Sequence, residues 1–160
     1  MDKYKRFWNI IIKHPNVEWS FFTASFLHYL GVRHACISPG ARNSPLTYVF
    51  TEKSEITCFC HVDERSSSFF GLGLAKSTQN PVVLISTSGT APANFYPAVI
   101  EASLSRIPLI ILSADRPDFL IGTGANQTIE QNNLYGCHVR YFTDVGLPNT
   151  KFDLLQKKLY

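Results

Sequence analysis

Short apolar runs recur along the chain, at residues 34–37, 56–60, 82–86, 109–113 and 139–142. They are dominated by Val, Ile, Leu, Phe and Cys and run on instead of alternating with polar residues. Such runs predict strands buried on both faces, as in a parallel sheet. Helical stretches separate them. Asn16 can cap a helix over residues 17–30 that Gly31 ends. Phe22, Phe26 and Leu30, at i+4 spacing, are its expected inner face. Asn43 or Ser44 opens a second helix, with Pro45 tolerated in its first turn. Asp63 opens a third, running to about Lys76. Residues 91–105 predict a fourth and residues 129–135 a weaker fifth. This alternation predicts an α/β fold, a doubly wound and mainly parallel sheet with helices on both faces. Right-handed crossovers then bring every strand-to-helix loop to one edge of the sheet.

The 160 residues suit one domain. The boundaries read as an N-terminal extension over 1–15, the α/β domain over 16–148, and the start of a linker or next element over 149–160. Residues 152–160 begin a further amphipathic helix that no stop signal closes, so the chain is expected to continue. Charged residues make up only 17% and apolar residues 45%, against about 25% charged in typical domains. That excludes a disordered tail. It also suggests that more chain or a second subunit covers part of the surface. A net charge of +3 is too small to argue for nucleic acid or membrane partners. No apolar stretch reaches the roughly 18 residues that span a bilayer. The run from Phe7 to Ile12 is broken by Asn9 and lacks a cleavage site, so no signal peptide is expected. Cys36, Cys58, Cys60 and Cys137 form no C-x-x-C pair. They read as reduced, mostly buried thiols of a cytoplasmic protein and not as a zinc site.

Sites in open α/β sheets gather at the carboxyl ends of strands, so those loops hold the candidate chemistry. After the first run, Gly40 permits a tight turn and Arg42 stands beside a helix start, a suitable place for an anion. A plain turn with a surface arginine reads equally from spacing. After the second run come His61, Asp63 and Glu64. The two acids suit a helix start through capping and the helix dipole, and His61 reads as a packed histidine. After the third run, Ser88 and Gly89 precede a helix with no Walker lysine. Gly71-Leu72-Gly73 lies inside a helix and reads as close packing. After the fourth run come Asp115 and Arg116, a local ion pair by the simplest reading, and a long polar segment with Asn126 and Gln127. Long loops at strand ends are often functional. Composition and periodicity stop at an edge that could bind a small polyanion.

The ordered motifs go further. Ile37-Ser38-Pro39-Gly40-Ala41-Arg42-Asn43-Ser44-Pro45-Leu46 and His61-Val62-Asp63-Glu64-Arg65-Ser66 resemble thiamine-diphosphate-dependent enzymes. Thr87-Ser88-Gly89-Thr90-Ala91, Ser113-Ala114-Asp115-Arg116-Pro117 and Gly124-Ala125-Asn126-Gln127-Thr128-Ile129 narrow the resemblance to the menaquinone-biosynthesis branch of that family. It runs from about Val17 to Pro148. Ala41 departs from the pattern, since serine is common there, and a hydroxyl contact to substrate is lost with it.

The resemblance implies a transferase of three α/β domains, of which this chain would be the first, the pyrimidine-binding one. It implies decarboxylation of 2-oxoglutarate and addition of the succinyl unit to isochorismate. It implies thiamine diphosphate held with Mg²⁺ or Mn²⁺, whose ligands lie in the absent third domain, and a homodimer or homotetramer. Carried over by position, Glu64 is the catalytic and cofactor-binding carboxylate that meets the aminopyrimidine ring. Arg42, Arg116, Asn126 and Gln127 bind substrate, and Ser88 and Gly89 line the cofactor pocket. The fragment alone is expected to be inactive. Two other readings stay open: a pyrimidine-binding domain of an acetolactate synthase-like enzyme, and a non-catalytic stand-alone binding module.

Overall fold

The computed structural model describes residues 14–53 and 55–148. Most of the N-terminal extension and the helix expected from residue 152 lie outside these residues. The elements alternate as the apolar runs predict: α1 (Pro15–Tyr29), β1 (His34–Ile37), α2 (Ser44–Glu52), β2 (Thr57–Cys60), α3 (Glu64–Thr78), β3 (Val82–Ser86), α4 (Thr90–Ala93), α5 (Tyr96–Ser105) and β4 (Leu109–Ser113). The four strands form one sheet in the order β2-β1-β3-β4. Every pairing is parallel and in step, with His34 beside both Thr57 and Val82, and Val82 beside Leu109.

Strand alternation assigns the core to two faces. Ala35, Ile37, Val83 and Ile85 point to one face, where Ala24 of α1 and Val49 and Phe50 of α2 pack on them. Cys36, Val82 and Leu84 point to the other, against Ala75 of α3 and Phe95 and Val99 next to and within α5. Gly71 is required on this second face. A Cβ there would lie 2.5 Å from Leu84 Cδ2, so α3 sits close on the sheet only because residue 71 has no side chain. Burying each large aliphatic side chain contributes about 1.5–3 kcal/mol, and the two central strands are the most deeply covered.

Several expectations are corrected. The outer strands are not buried on both faces: β2 is exposed at both ends and β4 is only half-buried, because the strand order makes them edges. Cys60 is accordingly exposed, as is Cys137, while Cys36 is buried and all four thiols are free. In α1 the cap is His14, whose ring accepts from the Asn16 N–H at 3.3 Å. The face packed on the sheet core is Val17, Ala24 and Leu27, with buried Ser20 beside them, about 140° around the helix from the Phe22-Phe26-Leu30 stripe, of whose side only Trp19 is buried. Gly31, at φ +102, does end it.

The expected helix over 91–105 is interrupted at Asn94 and Phe95. Pro97 has no N–H to continue the ladder, and the chain restarts in α5 with Pro97 in the first turn. Residues 129–135 form no helix: 129–131 are irregular and 132–135 a turn, with Asn133 at φ +53. Residues 139–142 form no strand. Among the described residues beyond β4 there are two single-turn 3₁₀ segments, Asp118–Leu120 and Gly136–His138. Tyr135 anchors this segment: it is buried and its hydroxyl donates to the Pro92 carbonyl at 2.8 Å.

Candidate active site

The loops that follow the four strands emerge from the carboxyl edge of the sheet. Strands about 4.8 Å apart order these loops in space. The loops after β1, β3 and β4 are neighbours. The loop after β2, which carries Glu64, stands on the outer side of β1.

The loop after β1 is set by Asn43. This side chain is fully buried, accepts from the Gly40 N–H at 2.7 Å and donates to the Ser38 carbonyl at 2.9 Å. It therefore staples the turn and makes no side-chain cap for α2. Gly40 is required here, since a Cβ would lie 2.6 Å from Thr87 Cβ. The loops after β1 and β3 are thus in direct contact, and Arg42 is projected from the turn beside them. Ala41, which takes the place of the common serine, is exposed.

Arg42 and Arg116 converge. Arg42 Nη1 donates to Gln127 Oε1 at 2.6 Å, and Arg42 Nη2 reaches the Asn126 carbonyl at 3.4 Å. Arg116 Nη2 donates to the same Asn126 carbonyl at 3.1 Å. Neither guanidinium meets a carboxylate among the described residues, and the Nε of each is buried without an acceptor. The Asp115–Arg116 ion pair read from the sequence is replaced by another contact: Asp115 Oδ1 accepts the backbone N–H of Arg116 at 2.6 Å. Partial burial holds the Asp115 carboxyl above the ordinary carboxylate range against that hydrogen bond, helped by the like charges of Asp144, Glu130 and Asp118.

Ser88 and Gly89 brace this arrangement from below. Ser88 is fully buried and its hydroxyl donates to the Gln127 carbonyl at 2.8 Å. Gly89 has φ +79 and ψ −131, and a Cβ there would lie 2.8 Å from both the carbonyl carbon and oxygen of Gln127. Gln127 itself is held at φ +56, a left-handed conformation rare for a residue with a side chain. The structure thus joins Arg42, Arg116, Asn126, Gln127, Ser88 and Gly89 in one network. Arg42 and Arg116 line one end of a cleft of about 1340 Å³ along the outer side of β4. That volume exceeds an ordinary ligand pocket of about 300–1,000 Å³, so most of it is open sheet flank.

Glu64 is not part of the network. It is the first residue of α3, half-buried, and makes no hydrogen bond or ion pair among the described residues. Asp63 does the capping: its Oδ1 accepts the Ser66 N–H at 2.7 Å, and hydrogen bonds from Ser66 hold its carboxyl below the usual range. The Glu64 carboxylate is left available at a helix N-terminus. His61 packs on the Phe70 ring, 4.9 Å between centroids.

One residue of the network was not singled out from the sequence. Gln131 is buried at 6% exposure; its Oε1 accepts the Gly89 N–H at 2.7 Å and its Nε2 donates to the Ala114 carbonyl at 3.1 Å. It lies in the polar run Glu130-Gln131-Asn132-Asn133, where no periodicity marks one residue as buried.

A parallel sheet whose loops gather paired guanidiniums on one side and an uncommitted glutamate on the other is the arrangement of a cofactor-dependent α/β enzyme domain. Residues 19–134 match the family described as thiamine pyrophosphate enzyme, N-terminal TPP binding domain, and the chain belongs to that family. Within it, the chain is 50% identical over 138 residues to a Listeria innocua protein named 2-succinyl-5-enolpyruvyl-6-hydroxy-3-cyclohexene-1-carboxylate synthase, an alignment covering 84% of this chain and 24% of the relative. Proteins of the same name from Listeria welshimeri and Haloarcula marismortui are 51% and 49% identical, over 84% and 86% of the chain and 24% of each relative. The chain therefore spans about a quarter of the length of the curated relatives it matches.

Proposed function

We propose that this chain is the N-terminal, pyrimidine-binding part (residues 16–148) of a 2-succinyl-5-enolpyruvyl-6-hydroxy-3-cyclohexene-1-carboxylate synthase of menaquinone biosynthesis. The complete enzyme takes 2-oxoglutarate and isochorismate. The observation that carries the substrate class is the convergence of Arg42 and Arg116 on one neutral carbonyl, with no carboxylate of the described residues between them. Two cations that share a single neutral acceptor call for an anionic ligand. A guanidinium takes a carboxylate through two hydrogen bonds, and both substrates carry two carboxylates. Gln127 and Asn126 orient polar groups of the substrate beside them.

Glu64 suits the pyrimidine end of thiamine diphosphate. Its carboxylate is half-buried and uncommitted because Asp63 satisfies the helix start. When bound, the cofactor supplies the electron sink for decarboxylation. Glu64 would hold a ring nitrogen of the bound cofactor and could give or take a proton there, a general acid–base role. The same reading assigns Mg²⁺ or Mn²⁺ and the diphosphate to domains outside this chain. In this proposal the residues before the α1 cap His14 are an extension, and residues 149–160 are the start of a linker or next element.

Free thiols suit the cytoplasm. Val62, Phe69 and Phe70, exposed around the start of α3, suit the surface on which a homodimer or homotetramer is built. Among the described residues no helix is long and apolar enough to cross a membrane.

The test is turnover by the complete protein with thiamine diphosphate and Mg²⁺. Consumption of 2-oxoglutarate together with isochorismate, and none of pyruvate alone, is expected. Faster consumption of pyruvate would move the protein to the acetolactate synthase-like enzymes.

A further inference from the structure

We infer that Gln131 is a positioning residue for the arginine pair, acting through Gly89 and Gln127 on one side and through Ala114 on the other. The inference rests on the reading of that pair as the carboxylate clamp. A primary amide is costly to bury unless its donors and acceptor are paired. Gln131, at 6% exposure, pairs both ends of its amide with backbone groups of two different loops. The Gly89 N–H belongs to the loop after β3. The Ala114 carbonyl belongs to the loop after β4, two residues before Arg116, and the Ala114 N–H is itself fixed on the Ser86 carbonyl at 3.1 Å.

Each contact leads on to a guanidinium. Gly89, held by Gln131, presses against the Gln127 peptide so closely that no side chain fits between them. Ser88 holds the same peptide through its carbonyl. Together they support the left-handed Gln127, whose side chain accepts Arg42 and whose preceding carbonyl, that of Asn126, accepts both arginines. Left-handed backbone at a residue with a side chain persists only where its surroundings over-determine it. On the other side, the Ala114 contact fixes the Ala114–Asp115 peptide, one peptide before Arg116. Gln131 touches neither arginine, so its effect on them is through these loops.

The experiment uses the complete enzyme and two variants. Gln131→Met keeps the length and removes both hydrogen bonds. Gln131→Glu keeps the acceptor for Gly89 and opposes a carboxylate oxygen to the Ala114 carbonyl. KM is measured for 2-oxoglutarate and isochorismate in turn, and the Gln131→Met change is repeated in an Arg116→Ala background. Hydrogen exchange of segments 86–90, 124–128 and 64–78 is followed by mass spectrometry.

Gln131→Met is expected to raise KM for one substrate about tenfold, the worth of one hydrogen bond to a buried polar group, with kcat within about twofold. The increase should largely vanish when Arg116 is already alanine, since residues acting as a unit are not additive. Exchange should rise in segments 86–90 and 124–128 and stay unchanged in 64–78. Gln131→Glu should restore protection of segment 86–90 and recover part of the KM. A purely structural residue would lower turnover equally in both backgrounds with KM unmoved, and that result overturns the inference. If Arg116→Ala alone leaves both KM values unchanged, the clamp reading fails instead. Exchange then decides Gln131: unaltered protection at 124–128 in Gln131→Met overturns its role, and raised exchange there upholds it.

Discussion

Replacing Gly89 by alanine tests the loop geometry most directly, because two separable terms act at that position. The first is conformational. Gly89 sits at φ +79 and ψ −131, a region that costs an L-residue about 1–3 kcal/mol. The second is steric: the new Cβ meets backbone at 2.8 Å, not the end of a flexible side chain. The 126–128 segment must shift, and the Ser88–Gln127 or Arg42–Gln127 hydrogen bond is lost at about 1 kcal/mol each. Against these, alanine restricts the unfolded chain and returns about 0.4–1 kcal/mol. The net expectation is a destabilisation of about 2–4 kcal/mol. Two other glycines isolate the terms. Gly31, at φ +102 with open space around it, carries only the backbone term, so Gly31→Ala costs about 1 kcal/mol. Gly73, in α3 and exposed with nothing within 4 Å of an added Cβ, carries neither, so Gly73→Ala stabilises by about 0.5–1 kcal/mol. Urea titrations of the 160-residue chain at constant m-value give the three midpoints. A Gly89→Ala midpoint within about 0.5 kcal/mol of wild type, or above that of Gly31→Ala, refutes the packing of Gly89 on Gln127.

The remaining expectations concern charge and thiols. In the complete enzyme, Arg116→Ala removes a charge-assisted contact of about 1.5–3 kcal/mol, a loss of roughly ten- to hundredfold in kcat/KM with cofactor affinity unchanged; an equal loss in thiamine diphosphate binding would contradict the clamp. Glu64→Gln keeps the fold and lowers turnover by about 10²–10⁴-fold, and a variant with more than half the wild-type kcat would leave Glu64 as a helix-start residue only. Burial pushes the Cys36 thiol up to about 12 and Cys58 to about 11. Thiols released on unfolding ionise near 9.0, so this stabilisation is complete below that pH and declines as pH rises toward the folded values. In native protein at pH 8, iodoacetamide should label Cys60 and Cys137 rapidly and spare Cys36, and labelling of Cys36 at the same rate would contradict its burial.

The sheet was legible because its strands are short continuous apolar runs between polar turns. Residues 34–37, 82–86 and 109–113 are strands to the residue, and 56–60 loses only Ile56. Burial was less legible. An apolar run reads alike at the centre and at the edge, and only the strand order, set by the crossovers, makes β2 and β4 edges. The same ambiguity misled α1, where the stripe of large aromatics is not the face toward the sheet; small Ser20 and Ala24 pack there because α1 lies close on its neighbours. Residues 139–142 have strand composition without a ladder among the described residues. In the candidate site, the loops announced Arg42, Arg116 and Gln127 by position. Gln131 and the stapling role of Asn43 depend on contacts between distant loops, which no local spacing encodes.

The arginine pair also explains why this edge is built from so many backbone contacts. Arg42 Nη2 and Arg116 Nη2 lie 3.4 and 3.1 Å from the same oxygen, so these nitrogens are at most about 6.5 Å apart, and with each charge centred near Cζ the pair repels by roughly 2 kcal/mol at an effective dielectric of 20. A single carbonyl dipole offsets only part of this. The fold must therefore hold the guanidiniums in place without an anion between them, and it does so with groups that carry no charge: the Asn126 carbonyl, the Gln127 amide, and the buried Ser88 and Gln131 beneath them. A protein carboxylate would relieve the repulsion more cheaply, but it would also fill the place of the ligand. On the proposed function, a dianion entering the pair would release this repulsion, which would then add to affinity what it takes from stability. Arg116→Ala should consequently move the two properties in opposite directions, with turnover falling while the urea midpoint of the chain stays level or rises. A fall in both by comparable amounts would mean that Arg116 serves the fold before it serves a ligand.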